Sequence, residues 1–334
     1  MSGHIDLIIT GAGPAGLTAA QYGARANLNV LVIEQMASGG QAVVIDRLEN
    51  YPGNVRQLDA AGSAAAEIKS GYELMADFHR QAQDFGASFL TGSVSLIEKT
   101  VMEKRGGIFK ITLEDGAVYT ASAVIIAAGA KPRMLGIQGE MEYQGRGVSY
   151  CATCDGNFYK NKKIFVIGGG DAACDEAQYL SRLSDKIVLV HRRGSFRAQK
   201  SLAQRTLNNP NIEVRFNTVI NEIKGADLPS GKVKSVILKD LINDKIYEEQ
   251  TDAVFIFAGT VPQSLFVSKA DLKVRFDEEG YIITDKNMAT DEPGFFAAGD
   301  IRSGAFRQVV TAAADGAIAA HSAAGYIDEL GSRE

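Results

Sequence analysis

The chain opens on an apolar run, Ile5-Asp-Leu-Ile-Ile-Thr10, which stops at glycines and gives way to helical spacing in Leu17–Asn27. A second apolar run, Asn29–Glu34, follows. Short apolar runs bounded by turn residues read as buried strands, and apolar positions three and four apart read as one face of a helix. The same succession returns later: a run ending at Ile167, glycines at 168–170, helical spacing over 174–184, then Lys186–Arg193. Each copy closes on one more apolar strand, Ala123–Gly129 in the first and Ala253–Gly259 in the second. Between opening and closing strands lie short alternating segments. These are Phe109–Leu113 and Ala117–Thr120 around the turn Glu114-Asp115-Gly116, and Glu213–Asn217, Lys232–Asp240 and Lys245–Glu249. Asp-Gly between alternating runs signals a hairpin. The pattern predicts an α/β chain with two Rossmann-like domains, each a parallel sheet with an inserted antiparallel β-meander.

The two copies differ in length. First glycine and closing glycine are 118 residues apart in the first copy and 91 in the second. The surplus of about 27 falls mainly between Gly39 and Gly86. After the second copy comes a further strand, Phe295–Gly299, and then an alanine-rich helical stretch over 309–327. That tail has no counterpart in the second copy, so it is expected to return and complete the first domain. Residues 1–129 and 261–334 then form one discontinuous domain, 133–258 form a second inserted into it, and the hinges lie at about 129–133 and 259–262.

The glycine spacing carries chemistry. In Gly11-Ala12-Gly13-Pro14-Ala15-Gly16 and Gly168-Gly169-Gly170-Asp171-Ala172-Ala173 the first glycine permits a tight turn. The second lets backbone approach a pyrophosphate, and the third residue, small, lets helix and strand pack closely. A helix N-terminus adds free N–H groups and a positive dipole end. The residue closing the next strand sets preference. Glu34, 18 residues after Gly16, suits ribose hydroxyls and repels a 2′-phosphate, which points to FAD or NAD. Its equivalent, 18 residues after Ala173, is His191, followed by Arg192, Arg193 and Arg197, a cluster suited to the 2′-phosphate of NADPH.

Charge and composition narrow the class without changing this picture. The 334 residues carry 35 Lys and Arg against 40 Asp and Glu, a net charge of -5 without long blocks of one sign. That argues against nucleic acid as the main partner. No apolar run reaches the ~18 residues that would span a bilayer. The opening shows no basic segment followed by a greasy one, so no signal peptide is expected.

Cysteines number three, Cys151, Cys154 and Cys174, too few for a disulfide framework. The pair in Cys151-Ala-Thr-Cys154-Asp155 admits three readings. Zinc would need further ligands, and the candidates Cys174, His4, His79, His191 and His321 are scattered. Two inert buried thiols are the second reading. The third, favoured here, is a dithiol/disulfide couple with a neighbouring carboxyl to serve the outgoing thiolate. Cys174 reads as a small packing residue. No metal is expected.

Together these motifs resemble the low-molecular-weight thioredoxin reductases nearly end to end. The resemblance rests on Gly11–Gly16, Gly39-Gly40-Gln41, Glu49–Gly53, Cys151–Gly156, Gly168–Ala173, His191–Ala198, Gly299-Asp300 and Arg307-Gln308-Val309. It implies a cytoplasmic homodimeric flavoprotein that passes a hydride from NADPH to FAD, then reduces a Cys151–Cys154 disulfide and finally oxidised thioredoxin. Ala12, Gly13, Pro14 and Ala15 would line the FAD pyrophosphate, between Gly11 and Gly16, with Glu34 on the ribose and Gln35 beside it. Gly40, Gln41, Asn50, Val94 and Gly129 would contact other parts of FAD. Asp300 would bond the ribityl chain, and Arg307, Gln308 and Val309 would hold the flavin ring. Gly168, Gly170, Asp171, Ala172, Ala173, His191, Arg192, Arg193 and Arg197 would bind NADPH. Cys154 would face the flavin, Cys151 would attack thioredoxin, Asp155 would supply the proton, and the domains would rotate between half-reactions.

The chain departs from the family pattern in the apolar stretch 42–45, in a longer segment over 54–72, and at Gln138 and Gln263. Competing readings are a related flavoprotein serving another acceptor (a peroxiredoxin's partner or a small dithiol), a ferredoxin-fed relative, and a nucleotide-binding module without turnover. The intact glycine motif and basic cluster argue against the ferredoxin-fed form, and the cysteine pair argues against the module.

Overall fold

A computed structural model describes residues 5–45, 48, 50–55, 57–58, 64–66, 68–102, 106–226 and 231–331. The chain divides into two compact units, Met1–Lys131 with Val261–Glu334, and Pro132–Thr260.

In the first unit the strand Ile5–Thr10 runs parallel to Val30–Glu34 on one side and Val118–Ile126 on the other. Ser88–Thr91 extends the sheet beyond Val30–Glu34, and the returning tail adds Phe295–Ala297 in parallel to Val118–Ile126. Gly106–Leu113 and Val94–Met102 continue it antiparallel. Ala117–Thr120 and the closing strand, expected as separate pieces, are parts of one strand, because Val118–Ile126 pairs with the meander at its start and with Ile5–Thr10 further on. The period-2 alternation of side chains sorts the core. Leu7, Ile9, Val30, Val32, Ala123 and Ile125 pack with alanines of the helices Pro14–Arg25 and Val309–Gly331, whereas Ile8, Leu31, Ile33, Val124 and Ile126 pack with Ile97, Phe109 and Phe295.

In the second unit five strands are all parallel, in the order Val148–Ser149, Ala253–Phe257, Ile164–Gly168, Ile187–Val190, Ile212–Arg215. Both faces are covered, which is why these strands read as unbroken apolar runs. Ile164, Val166, Leu189 and Phe255 meet Ala173, Cys174, Ala177 and Leu180 of the helix Asp171–Leu180. Phe165, Val188, Val254 and Ile256 meet Ile220, Ile223, Val236 and Leu238 of a separate three-stranded antiparallel sheet. That sheet consists of Thr218–Gly225, Val233–Asp240 and Ile246–Gln250. The segment 213–217 was expected in this meander. Instead Ile212–Arg215 pairs in parallel with Ile187–Val190, because Ile212 belongs to the helix-side core.

The chain passes between the units twice, and the two connecting segments, Ala130–Pro132 and Thr260–Pro262, pair with each other. Among the described residues no helix is long and apolar enough to cross a membrane.

Within the first unit the helices Pro14–Arg25 and Val309–Gly331 approach to backbone contact. A Cβ on Gly316 would stand 2.1 Å from the Ala15 carbonyl oxygen, whereas one on Gly325 of the same helix would meet nothing within 4 Å. Overpacking of this kind typically costs about 1–3 kcal/mol. Gly316→Ala is therefore expected to lower the unfolding free energy by about that amount, seen as a lower denaturant midpoint. Gly325→Ala should be neutral or gain up to about 1 kcal/mol, as alanine does in a helix interior. Equal effects at both positions in urea titrations would count against the close-approach account.

Candidate active site

The first glycine turn is built by exclusion. Gly11 sits at φ +99, and a Cβ there would fall 2.4 Å from the Ala127 oxygen. One on Gly16 would fall 1.9 Å from the Gly11 oxygen. The turn, the helix and the neighbouring strand are thus in backbone contact. At Gly13 the nearest neighbour of an added Cβ is the Gly40 Cα, 3.8 Å away, so the mouth of the turn is open. Gly13 precedes the helix Pro14–Arg25, Pro14 fills its first turn, and no side chain caps it. Its leading N–H groups are left for an anion. The Gly39 N–H donates to the Ala12 oxygen at 2.7 Å, which ties the segment carrying Gly40 and Gln41 to this mouth.

Glu34 ends its strand with one carboxylate oxygen accepting from the Ala12 N–H at 2.7 Å and the other from the Met36 N–H at 3.0 Å. Gln35 follows it, exposed. Asp300 lies in a short turn of helix, Gly299–Ile301, that the C-terminal helix pins. Asp315 Oδ2 accepts from the Gly299 N–H at 3.1 Å and from Arg302 Nη1 at 2.6 Å. No donor among the described residues reaches the Asp300 carboxylate. Burial pushes its pKa up, the Arg307 guanidinium opposes this, and Asp315 adds to it. Arg307 itself stacks 4.2 Å from the ring centroid of Tyr281. Asn50 Nδ2 donates to Gln308 Oε1 at 2.8 Å, joining residues 258 apart in the chain, and Val309 begins the C-terminal helix. Val94 opens its strand and packs against the cluster containing Ile33, and Gly129 takes φ +66. Glu49 lies outside the described residues, as do parts of the segment 54–72.

These groups suit a flavin dinucleotide. The turn has an open mouth at its second glycine, Glu34 retains acceptor capacity toward hydroxyls, and the half-buried Asp300 has acceptors without donors among the described residues.

The second turn repeats the plan with different side chains. A Cβ on Gly168 would lie 2.5 Å from the Phe257 oxygen, and one on Gly170 would meet nothing within 4 Å. Gly170 precedes the helix Asp171–Leu180, again without a side-chain cap, and its first residues are Asp171, Ala172 and Ala173. His191 is 5% exposed and lies across Gly169, where a Cβ would stand 2.3 Å from its ring. Its Nε2 has no hydrogen-bond partner. Burial lowers the His191 pKa, and Arg197, Arg193 and Arg192 lower it further, against a backbone hydrogen bond at Ser195. The charges of all three arginines thus act on one imidazole, and all three arginines are exposed. Among the described residues none of them forms a salt bridge.

Cys151 is disulfide-bonded and Cys174 is free. The Cys154 side chain lies outside what the structure describes. Cys151 precedes the short helix Ala152–Asp155, and its N–H donates to Ser149 Oγ at 3.1 Å while its carbonyl accepts from that hydroxyl at 3.2 Å. Asp155 ends the helix half-buried, its N–H donating to the Cys151 oxygen at 3.2 Å. Gly156 is buried against Leu180, which a Cβ would approach to 2.9 Å. Burial pushes the Cys174 thiol up to about 11, so it stays protonated and unreactive at neutral pH.

Sequence reasoning missed three supports. One is Glu140, 1% exposed, which accepts from the N–H groups of Leu135 and Gly136 at 2.8 and 2.6 Å and from the Tyr150 hydroxyl at 2.8 Å, next to Cys151. The others are Asp315 and Gln199. Asp315, the one acid in the alanine-rich stretch 309–327, carried a usable signal. Among the described residues no group of three or more His, Cys, Asp and Glu could hold a metal ion.

Residues 5–316 match the family model described as pyridine nucleotide-disulphide oxidoreductase. Among curated proteins the chain is 50% identical over 330 residues to the thioredoxin reductase of Treponema pallidum, covering 99% of each. It is 42% identical over 325 residues to that of Bacillus subtilis, covering 97% of this chain and 95% of the other. Among solved structures, the thioredoxin reductase of Lactococcus lactis aligns with a TM-score of 0.85 at 39% identity, over 97% of this chain and 99% of that one. That of T. acidophilum aligns with a TM-score of 0.83 at 33% identity, over 98% and 99%.

The buried imidazole has a consequence for pH. With its folded pKa below the unfolded value of about 6.5, His191 keeps its contribution to stability above that pH and loses it as pH falls toward the folded value. Urea titrations between pH 7.5 and 5 should show wild type losing more stability on acidification than His191→Asn. Parallel pH profiles would mean that the ring titrates as it does in the unfolded chain.

Proposed function

The chain belongs to the pyridine nucleotide-disulphide oxidoreductase family, and on that premise we propose that it is an NADPH-dependent thioredoxin-disulfide reductase. One observation carries the reading. The disulfide-bonded Cys151 shares its unit with a glycine turn whose neighbouring His191 is followed by three exposed arginines, while in the other unit the equivalent position is the carboxylate of Glu34. On this reading the unit of 1–129 and 261–334 holds FAD, and the inserted unit, 133–258, holds NADPH and the sulfur pair.

Each group then has a task. Gly13 and the N-terminus of Pro14–Arg25 receive a pyrophosphate, Glu34 accepts from ribose hydroxyls, and Asp300 from a sugar-alcohol chain. Asn50, Gln308 and Val309 sit where one face of the ring system would rest, fixed by the Asn50–Gln308 bond. Bound there, FAD supplies two-electron transfer from NADPH to a disulfide. Gly170 and the helix Asp171–Leu180 receive the second pyrophosphate, and Arg192, Arg193 and Arg197 the 2′-phosphate.

The final step is the protein's own. In the reduced pair, the Cys151 thiolate attacks one sulfur of the thioredoxin disulfide and forms a mixed disulfide while the other sulfur leaves as thiolate. Cys154 then attacks Cys151, re-forming the internal disulfide and releasing the second thioredoxin thiol. Asp155 supplies a proton to the first departing thiolate and the proton released by the attacking Cys154 thiol goes to the second, so two electrons and two protons pass to thioredoxin. Because the sulfur pair and the nicotinamide site belong to one unit, they take turns at the flavin by rotation about the two connecting segments. Those segments support a hinge: Gly129 and Gly259 flank them at φ +66 and +108, and added Cβ atoms there would meet nothing within 4 Å. The reading includes a cytoplasmic homodimer.

The purified protein should be yellow and should bleach anaerobically with NADPH. Cys151→Ser and Cys154→Ser should each abolish NADPH-dependent reduction of the host's thioredoxins, and retained turnover in either variant would refute the scheme. Arg192→Ala or Arg193→Ala should weaken NADPH binding about ten- to a hundredfold with little effect on NADH, since a charge-assisted bond is worth about 1.5–3 kcal/mol. Equal losses for the two nucleotides in fluorescence titrations would remove the arginines from 2′-phosphate recognition.

A further inference from the structure

The three arginines sit on a segment with no regular secondary structure, residues 191–199. A guanidinium cluster on a wandering loop would spend binding energy on ordering itself, so what fixes the loop decides how well it selects a phosphate.

Its first half is tied to the strand that follows. The Thr218 N–H donates to the His191 oxygen at 3.1 Å, and the Asn217 N–H to the Arg193 oxygen at 3.2 Å. In the middle, Phe196 packs against Phe216 with ring centroids 4.9 Å apart. Its second half is tied to the glycine turn. The Arg197 N–H donates to the Gly169 oxygen at 2.7 Å. Two residues on, the Gln199 N–H donates to Asp171 Oδ1 at 2.7 Å, and Gln199 Nε2 lies 3.3 Å from Asp171 Oδ2.

Asp171 is the first residue of its helix, beside the open mouth at Gly170. Both of its carboxylate oxygens are engaged by Gln199, across 28 residues of chain. The geometry points to Asp171 as a positioning residue for coenzyme selection: its carboxylate clamps the arginine loop to the glycine turn and so sets discrimination for the 2′-phosphate. This rests on reading the second turn as the NADPH site, and it gives Asp171 a task other than contact with the coenzyme.

The clamp has two ends, and each can be removed. Asp171→Ala deletes the acceptor. Gln199→Pro deletes the donor, and the native φ of -52 at Gln199, just before the helix Lys200–Leu207, is one that proline adopts. Asp171→Asn keeps an acceptor oxygen and removes the negative charge.

Binding of 2′,5′-ADP and of 5′-AMP to the full-length oxidised protein, by calorimetry, isolates the phosphate from turnover. Wild type should prefer 2′,5′-ADP. The preference should fall about tenfold in Asp171→Ala and in Gln199→Pro, and no further in the double variant, since both remove one interaction. Asp171→Asn should bind 2′,5′-ADP at least as tightly as wild type. An unchanged preference in both single variants overturns the clamp. So does an equal fall in Asp171→Asn, which would make the charge rather than the hydrogen bond the cause. Absence of any preference in wild type would instead strike at the NADPH assignment itself.

Discussion

Everything in this molecule depends on a strand and a helix meeting at a turn too tight for a side chain. At Gly11 and Gly16 an added Cβ would lie 2.4 and 1.9 Å from carbonyl oxygens, and at Gly168 2.5 Å from another. Such distances leave no room for adjustment, because the obstacles are backbone. They fix where the helix begins relative to the sheet edge, and so where its free N–H groups stand. The carboxylate or imidazole that closes the next strand is brought to that same point by parallel pairing, as with Ile9 opposite Val32 and Ile167 opposite Val190. Substrate-binding geometry is therefore a by-product of packing, and a substitution that loosened the turn would displace the site before it unfolded the unit.

Charge then divides the labour. Glu34 is satisfied by two backbone N–H groups and remains an acceptor for hydroxyls. In the second unit burial and three neighbouring arginines keep His191 neutral, so the positive charge stays on exposed guanidinium groups. On the proposed reading, each arrangement disfavours the other's ligand. A 2′-phosphate at Glu34 would face a carboxylate at short range, and a bare ribose among the arginines would leave their charge without a partner.

The duplication, the fold class and the two glycine turns were legible because they are local: strand, turn and helix lie within about thirty residues and each carries its own pattern. What alternation could not supply was the partner of a strand. Residues 213–217 alternate like a meander strand, yet Ile212–Arg215 pairs in parallel at the edge of the inner sheet, a choice made by where Ile212 is buried. The helix Gly71–Asp84 went unread although Ser70 and Glu73 form a reciprocal cap, the N–H of each meeting the other's side chain at 3.2 Å or less. Supports such as Glu140 on Tyr150, or Asn50 on Gln308, were invisible for another reason. A single polar residue announces that it needs partners, and only the fold says which ones.

Set side by side, the two turns show that these substitutions come in matched pairs. Ala12 occupies the place of Gly169, and Glu34 that of His191. In the first unit the carboxylate reaches back to the Ala12 N–H, and a methyl group at that position is harmless. In the second the imidazole lies flat across the turn, and a methyl group at 169 would stand 2.3 Å from the ring. The histidine thus requires the middle glycine of the run, Gly169, which the pyrophosphate alone does not. Two positions further along, Pro14 corresponds to Asp171. Proline suits a first helical turn whose loop needs no tether, whereas aspartate suits one that must hold a distant arginine loop by its backbone. On the proposed reading, coenzyme choice in the second unit is therefore distributed over Gly169, Asp171, His191 and Gln199 as well as the arginines. An exchange of His191 for glutamate alone would leave a cavity over Gly169 and three unopposed cations around a new carboxylate, and would not transplant the preference of the first site.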